Sequence, residues 1–138
     1  MTLSTLVLAL ASLLHRGNPC PEVVVAIADG CAAEAAAHPV DPEACVALVT
    51  TYAAKESGYL VMPHAWSWDA RAAVSCGLLQ LPCRLSQSPA HDVRVWLSML
   101  RQGTLAGLDS SPTRAAHRAA LAQRLLIAVQ LGVAERQP

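Results

Sequence analysis

The chain has 138 residues; 54% are hydrophobic, 14% are charged, and ten basic residues balance ten acidic ones. This composition excludes a charge-rich disordered chain, and the balanced charge disfavours nucleic acid as a partner, because domains that bind DNA or RNA carry an excess of Lys and Arg. We expect a single domain over residues 1–138, with one active site.

The five cysteines give no sign of a metal or redox centre. They form neither a CxxC pair nor the Cys/His spacing that is typical of zinc sites, so we predict no metal and no cofactor. One or two disulfides and buried free thiols are both compatible with their positions, which leaves the redox compartment open. The cysteines are Cys20, Cys31, Cys45, Cys76 and Cys83.

Residues 1–17 form an apolar segment that is similar to a secretion signal but lacks the basic residues with which such signals begin. The apolar side chains recur at helical spacing, and the segment is too short and too polar on one face to span a bilayer. We therefore predict a core-packing helix, with no clear signal peptide and no transmembrane segment. Its inward residues are Leu3, Leu6, Val7, Leu10, Leu13 and Leu14.

Two further helices are predicted from their starting signals. Pro21 suits the first turn of the second helix, whose inward positions are Val23, Val24, Ile27 and Cys31. Asp41 is a good N-cap and Pro42 a good first residue for the third helix, and Gly58 is a typical C-terminal stop. The third helix is therefore placed at about residues 42 to 57.

The second half of the chain predicts an insertion and two more helices. Residues 58–75 have no clean period and indicate an ordered loop or short hairpin beside a pocket. Ser88-Pro89 opens a fourth helix that Gly103 ends, with Val93, Trp96, Leu97 and Leu100 on one face. The fold class is mainly α: about five main helices around one core, with a small irregular or β-hairpin insertion.

The fifth helix is the longest. A loop through Asp109 leads to Ser111-Pro112, which opens a helix rich in Ala and Leu that Gly132 stops. Its basic residues are predicted to form a solvated face: Arg114, His117, Arg118 and Arg124.

Glu56 continues the apolar stripe of the third helix, in which side chains recur at spacings of three and four residues: Cys45, Leu48, Val49, Tyr52 and Glu56. Partial desolvation and the negative end of a helix dipole both raise the pKa of a carboxyl group, which suits a side chain that must donate a proton near neutral pH. A desolvated charge also predicts that replacement of Glu56 by glutamine leaves the thermal midpoint similar or higher. The alternative is a structural glutamate that reaches solvent or pairs with Arg71 or Arg84.

Two short stretches carry a resemblance to a known family: Glu56-Ser57-Gly58-Tyr59 and Gly77-Leu78-Leu79-Gln80-Leu81-Pro82. They resemble the two signature stretches of the lytic transglycosylase domain related to goose-type lysozyme. In that family Glu-Ser-Gly-aromatic ends the catalytic helix and Gly-Leu-Met-Gln lines the sugar groove. The resemblance covers residues 41–82 well and residues 22–101 loosely, and it implies a lysozyme-like fold.

By position, the resemblance implies a role for each matching residue. Glu56 is expected to be the catalytic acid/base and Ser57 a supporting hydrogen-bonder. The glycan-binding wall is expected to include Gly77, Leu79 and Gln80.

Four further residues are expected to contact the glycan. Tyr59 is the aromatic residue of the first stretch. Trp66 and Trp68 can stack on sugar rings, and Ser75 can hydrogen-bond an N-acetyl group. The alternatives are a structural aromatic lid and a serine that caps a turn.

The shortage of carboxylates between the two stretches favours a lytic transglycosylase. A two-carboxylate hydrolase needs a second acidic group, and Asp69 is the only candidate there. We therefore expect one glutamate to cleave the MurNAc-β-1,4-GlcNAc bond of peptidoglycan, with 1,6-anhydro-muramoyl products. A lysozyme-type hydrolase of the same bond is the first alternative.

The sequence departs from the family in three ways. The interval between Glu56 and Gly77 is longer than usual, and Leu79 replaces the usual Met, a swap of similar volume. The Ala-Tyr-Asn-Ala-Gly stretch that usually follows is absent, which keeps other functions open. A non-catalytic glycan-binding or structural module of a phage virion, and an all-helical interaction protein, are therefore alternatives. The expected partners are peptidoglycan strands, with virion or tail proteins in the phage case. The expected place of action is the bacterial cell wall or periplasm, reached by phage delivery.

Overall fold

The structure, a computed structural model, describes residues 1–69, 71–103 and 111–136. Over these residues it consists of five α-helices and a small three-stranded antiparallel sheet, which confirms the mainly α class with a hairpin insertion. The helices are α1 (Leu3–Leu14), α2 (Pro21–Ala37), α3 (Pro42–Ser57), α4 (Pro89–Arg101) and α5 (Pro112–Arg136). The strands are β1 (His64–Ser67), β2 (Ala72–Cys76) and β3 (Leu81–Pro82).

Side-chain caps and prolines set the helix starts, as the sequence predicts. Asp41 caps α3 by accepting a hydrogen bond from the main-chain amide three residues on, and Pro42 occupies the first turn. Ser88 caps α4 in the same way. Gly58 ends α3 at a φ of 61°, a left-handed conformation that glycine adopts without a Cβ clash. The predicted bounds of α3 are therefore confirmed.

Helix α3 lies at the centre of the core, because it packs against α1, α2 and α5, while α4 packs on α2. Its residues Val49 and Tyr52 are almost completely buried, and the ring centroid of Tyr52 lies 5.0 Å from that of Trp96 on α4. The inward residues predicted for α2 are all buried. This packing on three sides fixes the rotation of α3 and so the direction in which its last turn presents Glu56.

The sheet follows α3 directly in the chain. Strand β2 is central and pairs antiparallel with β1 and β3. His64 lies opposite Cys76, and a bulge interrupts the pairing between Ala65 and Trp66. A disulfide joins Cys76, at the end of β2, to Cys83, just after β3. The insertion is therefore a cross-linked hairpin with a short third strand.

Removal of the disulfide is expected to destabilise this insertion. Replacement of both Cys76 and Cys83 by serine should lower the free energy of unfolding by about 2 to 3 kcal/mol, because the cross-link restricts the unfolded chain. Calorimetry of the oxidised protein measures the change in the thermal midpoint. Cys20→Ser is the matched control, since Cys20 is an exposed free thiol. Equal thermal midpoints for the control and the double variant would contradict a disulfide between Cys76 and Cys83.

Two details predicted for the helices are wrong. Helix α5 does not stop at Gly132 but continues to Arg136, because glycine inside a helix costs only about 1 kcal/mol relative to alanine and its neighbours are good helix formers. Leu13 is 43% exposed, because the last turn of α1 lies at the edge of the core. The loop predicted through Asp109 lies outside the described residues.

Candidate active site

Glu56 lies in the last turn of α3, on the face that packs on the core. Val49 and Tyr52, two turns and one turn before it, are 0% and 2% exposed, while the Glu56 side chain is 22% exposed. The stripe predicted from the spacing therefore brings a carboxylate to the edge of the core.

The Glu56 carboxylate forms an ion pair with Arg118 on α5, in which Arg118 Nη1 donates to Glu56 Oε1. The Arg118 side chain is only 12% exposed, and its guanidinium carbon lies 5.0 Å from the centroid of the Tyr52 ring, within the range of a cation–π contact. The solvated face predicted for α5 is therefore wrong at Arg118. The partner of Glu56 is Arg118 rather than Arg71 or Arg84.

The position of Arg118 has a signal in the sequence that the prediction missed. Ala115, Ala122 and Leu126 are buried on α5, and Arg118 shares their spacing of three and four residues. A basic residue on an inward face needs an acidic partner. The many alanines of α5 conceal this face, because alanine occurs on its buried and exposed sides alike.

Ser57 joins the helix that carries Glu56 to the second signature stretch. Its Oγ lies 2.7 Å from the carbonyl oxygen of Leu78 and 3.0 Å from that of Ala53, so its one proton is shared between the two oxygens, with the shorter contact to Leu78. The two stretches, which are separate in the sequence, are therefore adjacent in space.

Gln80 supports the turn at the start of the second stretch. Its Nε2 donates to the carbonyl oxygen of Pro63 at 3.0 Å and to that of Gly77 at 2.8 Å. Gly77 and Gln80 both have positive φ, at 81° and 53°. The side-chain Nε2 of Gln80 thus ties the second stretch to the segment just before β1.

Two residues expected to contact glycan are buried instead. Leu79 and Tyr59 are each 3% exposed and belong to the hydrophobic core. The Tyr59 hydroxyl has no hydrogen-bond partner among the described residues, and burial raises the pKa of Tyr59 to about 12. Both side chains pack in the hydrophobic core, so they do not line an open glycan-binding wall.

The hairpin presents the two tryptophans to solvent. Trp66 is 53% exposed and Trp68 83%, and their rings meet edge to face with centroids 6.4 Å apart. Ser75 on β2 is half-buried, and Asp69, in the turn after β1, is exposed. The exposed rings can offer apolar faces to a ligand.

Asp92, in the first turn of α4, is a buried carboxylate that the sequence analysis missed. It is 1% exposed and accepts hydrogen bonds from Ser86 Oγ at 2.6 Å and from the Gln87 amide at 2.9 Å. A Cβ on Gly77 would lie 2.5 Å from both Asp92 Oδ2 and Ser86 Oγ. Asp92 therefore holds the loop before α4 against the second stretch. Acidic residues are common in the first turns of exposed helices, so its burial has no clear sequence signal.

Other kinds of site have less support in the described part of the chain. Within it, no group of three or more His, Cys, Asp or Glu side chains is arranged to hold a metal ion. Of the helices it contains, none is both long and apolar enough to cross a membrane. No protein family, curated protein or solved structure matches the chain.

Proposed function

We propose that the chain is a lytic transglycosylase with a lysozyme-like fold, which cleaves the MurNAc-β-1,4-GlcNAc bond of peptidoglycan with Glu56 as the catalytic acid/base. One observation carries the proposal: the Ser57 hydroxyl donates a hydrogen bond to the Leu78 carbonyl oxygen. This bond holds the two stretches that resemble the family signature side by side. A chance match of two short stretches gives no reason for them to meet in space.

The order of elements is a second line of support. Glu56 ends a helix at the centre of the core, a small antiparallel sheet comes next, and the Gly77–Pro82 stretch returns to the end of that helix. The exposed Trp66 on β1 and Trp68 in the turn after it suit stacking against sugar rings.

In the proposed reaction Glu56 protonates the glycosidic oxygen, which leaves as the 4-hydroxyl of GlcNAc. The Glu56 carboxylate then takes the proton of the muramoyl C6 hydroxyl as that oxygen attacks the anomeric carbon. A 1,6-anhydro bond forms, water is not consumed, and Glu56 is protonated again. The route uses one carboxyl group and no cofactor.

Arg118 sets a condition on this chemistry. The Arg118 guanidinium occupies Glu56 Oε1, the carboxylate oxygen that a glycosidic oxygen would otherwise approach. The ion pair must therefore open before Glu56 acts, and we expect substrate binding to open it.

A non-catalytic glycan-binding module of a phage virion is the second candidate, and the Glu56–Arg118 ion pair is the observation that favours it. A carboxylate held permanently by arginine is a structural group. Such a module would bind peptidoglycan through the hairpin and assemble with virion or tail proteins.

Incubation with purified sacculi, followed by sedimentation, distinguishes the two candidate functions. The proposed enzyme releases soluble muropeptides, whereas the module sediments with the sacculi and releases none. A protein that neither sediments with sacculi nor releases muropeptides contradicts both candidates and favours a mainly helical interaction protein, since the sheet of residues 64–82 already excludes an all-helical one.

Alanine at Trp66 or Trp68 is expected to weaken binding of chitooligosaccharides by about 1 to 3 kcal/mol, because a stacked ring loses its contact area with the sugar. Isothermal titration calorimetry measures the affinity. Met62→Ala is the matched control, since Met62 is a 73% exposed apolar residue of the same segment. Unchanged affinity in both tryptophan variants would make the pair a structural feature of the hairpin.

A further inference from the structure

We propose that Cys31 and Cys45 form a thiol pair that a small neutral disulfide oxidises, so that a new cross-link joins α2 to α3. Cys31 lies on α2 and is completely buried, whereas Cys45 lies in the first turn of α3 and is half-buried. Both are free thiols, and Cys45 lies at the opposite end of α3 from Glu56. The pair is therefore separate from the candidate active site, and its oxidation does not depend on the function proposed above.

The two thiols meet across the packed faces of α2 and α3. Their side chains share a hydrogen bond, and Cys45 packs against the core cluster to which Cys31 belongs. Glu34, one turn after Cys31 on the same face of α2, lines a cavity together with Cys45. The hydrogen bond and the cavity thus both bring Cys45 to the Cys31 face of α2. A disulfide then requires the two sulfurs to close from hydrogen-bond contact to about 2.05 Å.

The cavity gives a small oxidant access to Cys45. Its volume of about 320 Å³ lies at the lower end of the range of about 300 to 1,000 Å³ that is typical of ligand pockets. The charged residues of its lining already have partners, because Glu34 pairs with Arg101 and Asp41 caps α3. The cavity therefore suits a small neutral molecule. Its apolar walls come from Val40, Ala44, Leu48, Leu97 and Leu100.

The different surroundings of the two thiols set the order of reaction. The hydrogen bond with Cys45, burial and the nearby charge of Glu34 all raise the pKa of the Cys31 thiol, and a buried thiol of this kind is inert. Cys45, which the cavity reaches, therefore reacts first with the external disulfide. A chain that already holds one disulfide, Cys76–Cys83, meets oxidants of this class as it folds, because protein disulfides form by exchange with them.

The proposed exchange has two steps. The Cys45 sulfur attacks one sulfur of the external disulfide, whose other half leaves as a thiol with the Cys45 proton. The Cys31 sulfur, held in contact, then attacks the Cys45 sulfur of the mixed disulfide, and the second half leaves as a thiol with the Cys31 proton. Two thiols of the protein are oxidised to one disulfide, and the external disulfide is reduced to two thiols.

Mass spectrometry of the folded protein after incubation with bis(2-hydroxyethyl) disulfide tests the proposal. Cys20→Ser is the background for every sample, because Cys20 is an exposed free thiol that would react by itself. The Cys20→Ser protein should lose two hydrogens and carry no adduct, and peptide mapping should find Cys31 joined to Cys45.

Two further variants in the same background separate the steps. Cys31→Ala should keep one mercaptoethanol adduct on Cys45, since no neighbouring thiol displaces it. In Cys45→Ala the remaining Cys31 should be modified at least about tenfold more slowly than Cys45 is in Cys31→Ala, because a buried thiol is inert.

Two unmodified thiols in the treated Cys20→Ser protein, or a stable adduct on Cys45 beside an intact Cys31, would overturn the proposal. Equal rates of modification in the Cys31→Ala and Cys45→Ala variants would also overturn it, because the cavity would then not select Cys45. If the alanine variants do not fold, the mass of the Cys20→Ser protein decides the question alone. None of these measurements requires cleavage, so absence of muropeptide release refutes the proposed enzyme but not the thiol pair.

Discussion

Replacement of Glu56 by glutamine is expected to abolish the release of soluble muropeptides from purified sacculi. An amide has nearly the same volume as the carboxyl group but can neither give up a proton to the glycosidic oxygen nor accept one from the C6 hydroxyl. Loss of general acid–base catalysis alone should slow the reaction by about 10² to 10⁴-fold. The rate of muropeptide release, measured at equal concentrations of folded protein, gives the result.

The same variant is expected to be less stable than the wild type. The sequence alone predicts a similar or higher thermal midpoint, but that prediction treats Glu56 as an unpaired charge. Since Glu56 and Arg118 are both largely buried, glutamine leaves the guanidinium without its carboxylate, at a cost of about 1 to 3 kcal/mol. The thermal midpoint should therefore fall by several degrees.

Glu34→Gln is the matched control for the loss of stability in Glu56→Gln. Glu34 on α2 also forms an ion pair with an arginine, Arg101 on α4, at 2.5 Å. Its replacement should also lower the thermal midpoint, but it should leave the rate of muropeptide release unchanged. Equal loss of activity in both variants would mean that reduced stability, not missing chemistry, explains the Glu56 result.

Replacement of Gly77 by alanine is expected to destabilise the protein by about 2 to 5 kcal/mol. A residue with a Cβ is strained in the left-handed backbone conformation, and the added Cβ would also clash with its neighbours. Gly77 has a φ of 81°, and the added Cβ would lie 2.5 Å from a carboxylate oxygen of the buried Asp92 and from Ser86 Oγ. Neither atom can move freely, because the two are hydrogen-bonded to each other. Denaturant unfolding followed by circular dichroism measures the change.

Gly103→Ala separates backbone strain from the clash. Gly103 also has a positive φ, 73°, but a Cβ there meets nothing within 4 Å. Backbone strain alone should therefore lower the stability of the Gly103→Ala variant, by about 1 to 2 kcal/mol. A Gly77 variant that is no less stable than the Gly103 variant would contradict the packing of Asp92 against the second stretch.

Local signals were enough to predict the helices of the core. Asp41, Pro42 and Gly58 define α3 because capping and glycine conformation depend on neighbouring residues only. Gly132 misled the prediction for the same reason: a stop signal is weak inside a run of good helix formers. Whether a helix ends at such a position depends on the helix-forming tendency of the residues on both sides, not on the glycine itself.

The surroundings of Glu56 were harder to predict, because they depend on contacts between distant parts of the chain. Helical spacing brings Glu56 to the edge of the core, but its partner Arg118 is 62 residues away. Leu79 and Tyr59 lie in motif positions that suggest ligand contact, yet each is buried in the hydrophobic core. Motif similarity indicates which segments meet; the rotation of each segment decides which side chains face a ligand.

The mass of the products released from sacculi tests the central claim most directly. If Glu56 works alone, the C6 hydroxyl, held next to the anomeric carbon, has a large effective-concentration advantage over water. The muropeptides should then carry 1,6-anhydro-muramoyl ends, one water lighter than lysozyme products, and Asp69→Asn should give the same products at a similar rate. Reducing muramoyl ends as the main product, together with loss of activity in Asp69→Asn, would contradict the account and identify a two-carboxylate hydrolase.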